Sequence, residues 1–301
     1  MKVIVVGSLN TDITTYTDRF PVAGETVTGK DVRIGPGGKG SNQATAAARS
    51  GAEVIMVGKI GKDDLAATMK SHFLAEKMCL DYIVEDDGAT GCALIEVDST
   101  GENRIVVIPG ANGRLSAADV DAAEQEFTHG GVVLIQNETS LESRLEAKRL
   151  AMKYGLTMIY NPAPMQKMPN GFFEGVDIVT PNETEAEFFT GIAVRGCEDG
   201  IRAAEKFIEL GAKSVIITMG SKGALYYDGT PIFVPAMKVK AVDTTGAGDA
   251  FNGALAAALA EGKTITEALK FAGAVGALSV TKVGAATAMP SREETEEFLI
   301  K

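Results

Sequence analysis

The residues best suited to chemistry lie in one short stretch, Asp243-Thr-Thr-Gly-Ala-Gly-Asp249, which runs straight into an apolar helical period over 248–261. The first N–H groups of a helix have no partner within it and carry the positive end of its dipole, so they bind anions readily. Glycines at 246 and 248 let an anion approach the backbone, because no Cβ intervenes. Asp249 falls in the first turn, beside whatever binds there. A carboxylate next to an anion hole suits phosphoryl transfer to an alcohol, in which one group takes the hydroxyl proton while fixed donors hold the phosphoryl charge. A capped loop without chemistry is the competing reading of this stretch alone.

A second stretch, Gly35-Pro-Gly-Gly-Lys-Gly-Ser-Asn42, is not a P-loop, since Gly-x-x-x-x-Gly-Lys-Ser/Thr fits at no register. Gly7-Ser-Leu-Asn10 lacks the second and third glycines of a dinucleotide fingerprint. What 37–42 offers is a turn into a helix presenting Lys39, a compact cation, and Asn42, which both donates and accepts; these suit a polyhydroxy ligand. A helix start with a solvated lysine is the alternative. Further polar residues follow apolar runs: Asp12, Glu138, Asn182, Glu185 and the segment Thr218-Met-Gly-Ser221. Ligands of doubly wound sheets bind beyond the carboxyl ends of the strands, so these groups can converge on one edge. Asn182 would also serve as a helix cap.

Positioning them requires a scaffold. Short apolar runs at 3–6, 54–57, 132–135, 157–160, 178–179 and 215–218 read as buried strands. Helical periods at 41–49, 65–76, 117–126, 145–154 and 201–210 alternate with them, and 249–261, 265–281 and 292–300 close the chain. This predicts an α/β fold with a doubly wound, mostly parallel sheet flanked by helices, in a single domain over 1–301. Two stretches break the rhythm, 12–34 and 90–108. The latter reads as a hairpin around Asp98-Ser-Thr-Gly-Glu102. Its arms, 92–97 and 104–108, are apolar on both alternating faces, which predicts a small β-sheet lid covering a site on one side and meeting a partner on the other. Two extra strands on the main sheet are the alternative.

The chain of 301 residues is 45% apolar and carries a formal charge of −11, enough for a large core and unsuited to nucleic acid or anionic membrane. Three cysteines and two histidines fit neither a disulfide framework nor a zinc site or His-dependent triad. The apolar run after Lys2 is too short for a signal-peptide core, and a soluble, cytoplasmic protein is the expectation.

Taken together, Gly7-Ser-Leu-Asn-Thr-Asp12, Gly37-Gly-Lys-Gly-Ser-Asn42, Asn161-Pro-Ala-Pro164, Pro181-Asn-Glu-Thr-Glu-Ala186 and Asp243–Asp249 resemble, in order and over nearly the whole chain, the ribokinase-type (PfkB) carbohydrate kinases. The resemblance implies ATP-dependent phosphorylation of the 5-hydroxyl of D-ribose. It implies Asp249 as catalytic base and the N–H groups of Gly246, Ala247 and Gly248 as anion hole. Asp12, Gly38, Lys39, Asn42 and Glu138 would hold the sugar with Asp249. Asn182 and Glu185 would serve the phosphates and Mg²⁺, while Thr218, Gly220, Ser221 and Gly248 would line the nucleotide site. A monovalent cation, K⁺ in most of the family, would take oxygens from Asp243, Thr245, Ser279, Lys282 and Gly284. A further ligand position, commonly serine, is Ala288 here, which can offer only its carbonyl. The family's lid strands often pair two subunits, so a homodimer is implied. Other acceptors on the same scaffold, nucleoside or fructose-type, and a sugar-binding regulator without turnover are the competing readings.

Overall fold

Every residue of the run Val3–Val6 is apolar, and successive side chains of a strand point to opposite faces. Such a strand is buried only with layers on both sides, and the computed structural model, which describes residues 2–300, has both. Val3 and Val5 join a core beneath one set of helices, and Ile4 and Val6 join a second core on the reverse face. The strands are β1 (Lys2–Val6), β2 (Asn10–Tyr16), β3 (Asp31–Gly37), β4 (Glu53–Gly61), β5 (Ile83–Asp86), β6 (Gly91–Val97), β7 (Asn103–Ile108), β8 (Val132–Ile135), β9 (Thr157–Tyr160), β10 (Ile178–Val179), β11 (Ser214–Thr218), β12 (Gly223–Tyr227) and β13 (Pro231–Pro235). The helices are α1 (Lys39–Arg49), α2 (Asp64–Ala75), α3 (Ala117–Asp121), α4 (Glu124–Phe127), α5 (Leu141–Tyr154), α6 (Glu183–Thr190), α7 (Cys197–Glu209), α8 (Ala247–Ala260), α9 (Ile265–Ser279) and α10 (Arg292–Ile300).

The main sheet has the order β13-β12-β11-β10-β9-β8-β1-β4-β5. Strands β11 through β5 in that order run parallel, and β12 and β13 add an antiparallel edge. The doubly wound, mostly parallel expectation therefore holds. Sequence patterning misses β5, β12, β13 and α6. It also joins α3 and α4 into one helix; Ala123 leaves helical geometry between them, with ψ at 6°. Helix α5 starts at Leu141, earlier than the apolar period, because the Ser140 hydroxyl caps the Ser143 N–H.

Strands β3-β2-β6-β7 form a sheet of their own rather than extending the main one. The two breaks in the rhythm are thus one small sheet, which spans 10–37 rather than 12–34 and lies within 90–108. Its apolar residues are not covered on both sides in the single chain. Val32, Ile34, Leu94 and Ile105 through Ile108 are 37% to 61% exposed, and all of β7 is open to solvent.

Helices α1 and α8 pack unusually closely, and one residue permits it. A Cβ built on Gly253 would lie 2.2 Å from the Gln43 carbonyl and 2.6 Å from the Ala46 Cβ. Bare backbone at 253 thus lets α1 lie directly against α8, which brings the side chains of Asn42 and Gln43 to the first turn of α8.

Candidate active site

Side chains of the chain itself cap α2, α3, α5, α6 and α9, through Asp63, Ser116, Ser140, Asn182 and Thr264. No side chain does so at α1, α4 or α7, nor at α8. Its cap is Gly246, in the left-handed region at φ 75°, where a Cβ would lie 2.9 Å from that of Ala285. Glycine is therefore required twice over at 246, by conformation and by space. The N–H of Ala247 reaches back to the Thr244 carbonyl at 3.3 Å, which sets it apart from the other proposed anion-hole donors, and Gly248 is exposed. An uncapped helix start with an exposed glycine in its first turn leaves backbone N–H groups open to an acceptor.

Asp249 is only 5% exposed, and both its oxygens are engaged. Asn42 Nδ2 donates to Oδ2 at 2.9 Å, and Gln43 Nε2 donates to Oδ1 at 2.9 Å. The Oδ1 of Asn42 is itself buried without a partner. Asp249 thus lies buried in the first turn of α8, beside the uncapped start of the helix.

The sugar-side candidates gather around the start of α1. Glu138 accepts the Ser8 hydroxyl at 2.6 Å and the Lys39 backbone N–H at 2.9 Å. Its loop is pinned through its neighbour: the Asn137 backbone N–H donates to Ala163 at 2.8 Å and its Nδ2 to Pro164 at 2.9 Å. Gly38 caps α1 at φ 86°, and a Cβ there would strike the Asn10 N–H and the Ser8 carbonyl. The Asp12 carboxyl lies over Gly37, where a Cβ would meet it at 2.2 Å. Burial, with Glu138 and then Asp249 nearby, pushes the Asp12 carboxyl up to about 7. Lys39 is the cation that balances these acids. Asp249 above all, with Glu138 and Glu185, holds its ammonium above the ordinary value against the opposing effect of burial.

The nucleotide-side candidates sit further along the same edge, beyond β10 and β11. Asn182 and Glu185 form a reciprocal capping box on α6: Asn182 Oδ1 accepts the Glu185 N–H at 2.8 Å, and Glu185 Oε2 accepts the Asn182 N–H at 2.9 Å. The structural role of Asn182 is therefore real, with its amide nitrogen left over. Burial keeps the Glu185 carboxyl above its usual range, opposed by that N–H and by Lys39. Thr218 ends β11, half-buried, and Gly220 and Ser221 lie exposed in the turn after it. No hydrogen bond among the described residues joins Gly220 or Ser221 to Asp249.

Asp243 is fixed by two N–H groups, from Thr245 and Gly284, each at 2.9 Å. Burial acts to raise its carboxyl, but these donors outweigh it and hold the group low. The same contacts bring 243–246 against 284–285, and the Val280 carbonyl accepts the Asp243 N–H at 3.2 Å, so the segments 243–246 and 280–285 that hold most of the cation-ligand candidates meet beside the start of α8. The Lys282 ammonium pairs with Glu294 at 2.8 Å and the Ser279 hydroxyl donates to the Gly276 carbonyl at 2.8 Å. Lys282, Gly284 and Ala288 can thus offer only main-chain oxygens. No group of three or more His, Cys, Asp or Glu able to hold a metal occurs among the described residues.

A match to the model of the pfkB family of carbohydrate kinases extends over residues 1–292. The chain belongs to that family. A ribokinase of Haemophilus influenzae is 41% identical to this kinase, over 98% of the chain and 97% of the relative. A deoxyribokinase of Salmonella typhi is 35% identical, with 99% of each covered. Among solved structures, Arabidopsis thaliana ribokinase complexed with ribose and ATP superposes with a TM-score of 0.91 at 32% identity, covering 99% of this chain and 98% of that one. The kinase is therefore a phosphotransferase of the carbohydrate-kinase type. Sequence reasoning passed over Gln43, although it touches Asp249, because the motif containing it was read only as far as Asn42.

Proposed function

We propose that this kinase transfers the γ-phosphoryl group of ATP to the 5-hydroxyl of D-ribose. The observation that carries the reading is Asp249, buried in the first turn of a helix whose start no side chain caps. In this reading Asp249 takes the hydroxyl proton while the N–H groups at the start of α8, those of Gly246 and Gly248 with that of Ala247, hold the phosphoryl oxygens. Asp12, Lys39, Asn42 and Glu138 orient the sugar, with the orphan Asn42 Oδ1 ready to accept a hydroxyl. One cation, Lys39, is ringed by acids, so an uncharged polyol fits and a sugar already phosphorylated does not.

Asn182 Nδ2, Glu185 and the turn at Thr218, Gly220 and Ser221 serve the nucleotide in this proposal. Mg²⁺ is usually held by one or two carboxylates plus substrate phosphates, which fits a site with Glu185 and no carboxylate cluster; it would neutralise phosphate charge. The oxygen-only set at Asp243, Thr245, Ser279, Lys282, Gly284 and Ala288 suits a monovalent cation such as K⁺, which would steady the loop holding Gly246. The open apolar strands of the small sheet support a homodimer. No helix of the described residues is long and apolar enough to cross a membrane.

The Salmonella deoxyribokinase favours a second reading in which 2-deoxyribose is the acceptor. ADP release measured side by side with ribose, 2-deoxyribose, fructose and adenosine tests both. The highest kcat/KM with ribose is expected; a preference for any other acceptor overturns the assignment.

A further inference from the structure

The floor beneath Asp249 is a continuous row of buried polar side chains that the reaction chemistry does not require. Gln136, Asn161 and Thr180 each occupy the first position after a parallel strand, β8, β9 and β10. The strands pair Ile135 with Tyr160 and Tyr160 with Val179, so the three residues stand side by side across the carboxyl edge of the sheet. All are buried. Gln136 Nε2 donates to Gln43 Oε1 at 2.6 Å, and Gln43 Nε2 donates both to Asn161 Oδ1 at 3.1 Å and to Asp249. Asn161 Nδ2 donates to the Thr180 carbonyl at 3.0 Å; the Thr180 hydroxyl donates to Asn252 Oδ1 at 2.6 Å, and Asn252 Nδ2 to the Gly248 carbonyl at 2.8 Å.

The row therefore meets α8 twice, through Gln43 at the Asp249 carboxylate and through Thr180 at Asn252, an α8 residue whose amide also bonds the Gly248 carbonyl one turn back. Its direction is forced. A carboxylate only accepts, so Gln43 must turn its nitrogen toward Asp249 and its oxygen toward Gln136. Gln136 must then donate, which leaves its own Oε1 buried without a partner. A row that tolerates an orphan oxygen at its far end in order to present an N–H to Asp249 is organised around that carboxylate. Space for it is kept at Gly7, where a Cβ would lie 2.5 Å from Gln136 Oε1.

We infer that Gln43, backed by Gln136 and Asn161, is a positioning residue that locks the Asp249 carboxylate in its catalytic orientation. The inference rests on the assignment of Asp249 as the base. Replacing Gln43 frees one carboxylate oxygen while Asn42 still holds the other.

The test is Gln43→Met, similar in length and unable to donate, assayed in the wild-type and Asp249→Asn backgrounds. Expected is a loss of kcat of about 10- to 100-fold with an unchanged sugar KM, the range for a hydrogen bond to a charged group. In the Asp249→Asn background the further loss is expected to be under about twofold, since residues acting through one another are not additive. Equal losses in both backgrounds, or a wild-type kcat, overturn the inference. Should Gln43→Met fail to fold, Gln43→Asn keeps the amide, shortens its reach and is read by the same criteria. If wild type phosphorylates none of the four acceptors, the functional proposal fails by itself. A crystal structure of the Gln43 variant then decides the positioning separately: an Asp249 carboxylate unmoved from its wild-type rotamer refutes it.

Discussion

Adding one methyl group at Gly253 should disable the enzyme from the far side of the α1–α8 contact. The Cβ of Gly253→Ala would sit 2.2 Å from the Gln43 carbonyl oxygen and 2.9 Å from the Ala47 N–H, both backbone atoms of α1 that cannot rotate away. Ordinary contact begins near 3.4 Å, so α1 must retreat from α8 by about 1 Å. Alanine favours a helix by about 1 kcal/mol over glycine, but overpacking costs about 1–3 kcal/mol, so a net loss of stability is expected. For a chain of this size, the larger figure amounts to a fall in Tm of several degrees. The effect on turnover should be greater. The bonds from Asn42 and Gln43 to Asp249 are both 2.9 Å and would open beyond hydrogen-bonding range. A misplacement of about 1 Å can cost on the order of 100-fold in rate. Steady-state kinetics by coupled ADP assay, with calorimetric melting of the same samples, measures both. A variant that melts lower yet turns over like wild type would show that the α1–α8 contact does not set the geometry at Asp249.

Four further outcomes are expected. Asp249→Asn should retain sugar binding by calorimetry and lose about 10²- to 10⁴-fold in kcat, the usual contribution of a general base; wild-type turnover would remove the assignment. Because Asp12 titrates at about 7 in the folded protein and near its ordinary value when unfolded, the native state holds a proton that the unfolded chain releases. Its contribution to ligand-free stability is thus complete below about pH 4 and lost as pH rises through 7, and Asp12→Asn should abolish that part of the slope in urea titrations. Over the same upper range the ionised carboxylate becomes available to sugar hydroxyls, so ribose KM should fall from pH 6 to 8; a flat profile would argue against Asp12 as a sugar ligand. The double change Ile34→Lys and Val106→Lys on the small sheet should yield monomers in sedimentation experiments where wild type is dimeric, and a wild-type monomer would end the dimer proposal. Potassium should support faster turnover than sodium at equal ionic strength, with equal rates counting against a cation at Asp243.

The parts of the fold legible in the sequence were those with a single reading. Runs such as Val132–Ile135 are apolar at every position and are bounded by turn residues, the pattern of a strand covered by helices on both faces. The arms Gly223–Tyr227 and Pro231–Pro235 carry a weaker signal because glycine and prolines bound their short apolar runs, and Ile83–Asp86 ends in two acids. The place of Asp249 in a first turn was legible because glycines at 246 and 248 mark the helix start. The row from Gln136 to Asn252 was not. Its members are far apart in sequence and become neighbours only through strand register and the close approach of two helices, neither of which a single sequence records. Asn182 was both things foreseen for it, a helix cap in fact and a nucleotide contact by proposal.

The root of the small sheet has a consequence for how the molecule can be altered. Asn112 clasps the crossing from β1 into β2 as a neighbouring strand would, accepting the Leu9 N–H at 2.8 Å and donating to the Leu9 carbonyl at 3.1 Å. The other strand of the crossing, β3, passes into α1 through Gly38, where a side chain would collide with Asn10. Asp12 is thus anchored to the body of the enzyme, while β7 and residues 31–34 hang outward from it. Redesign of those outer strands, to graft a new assembly or abolish one, can proceed without re-aiming Asp12.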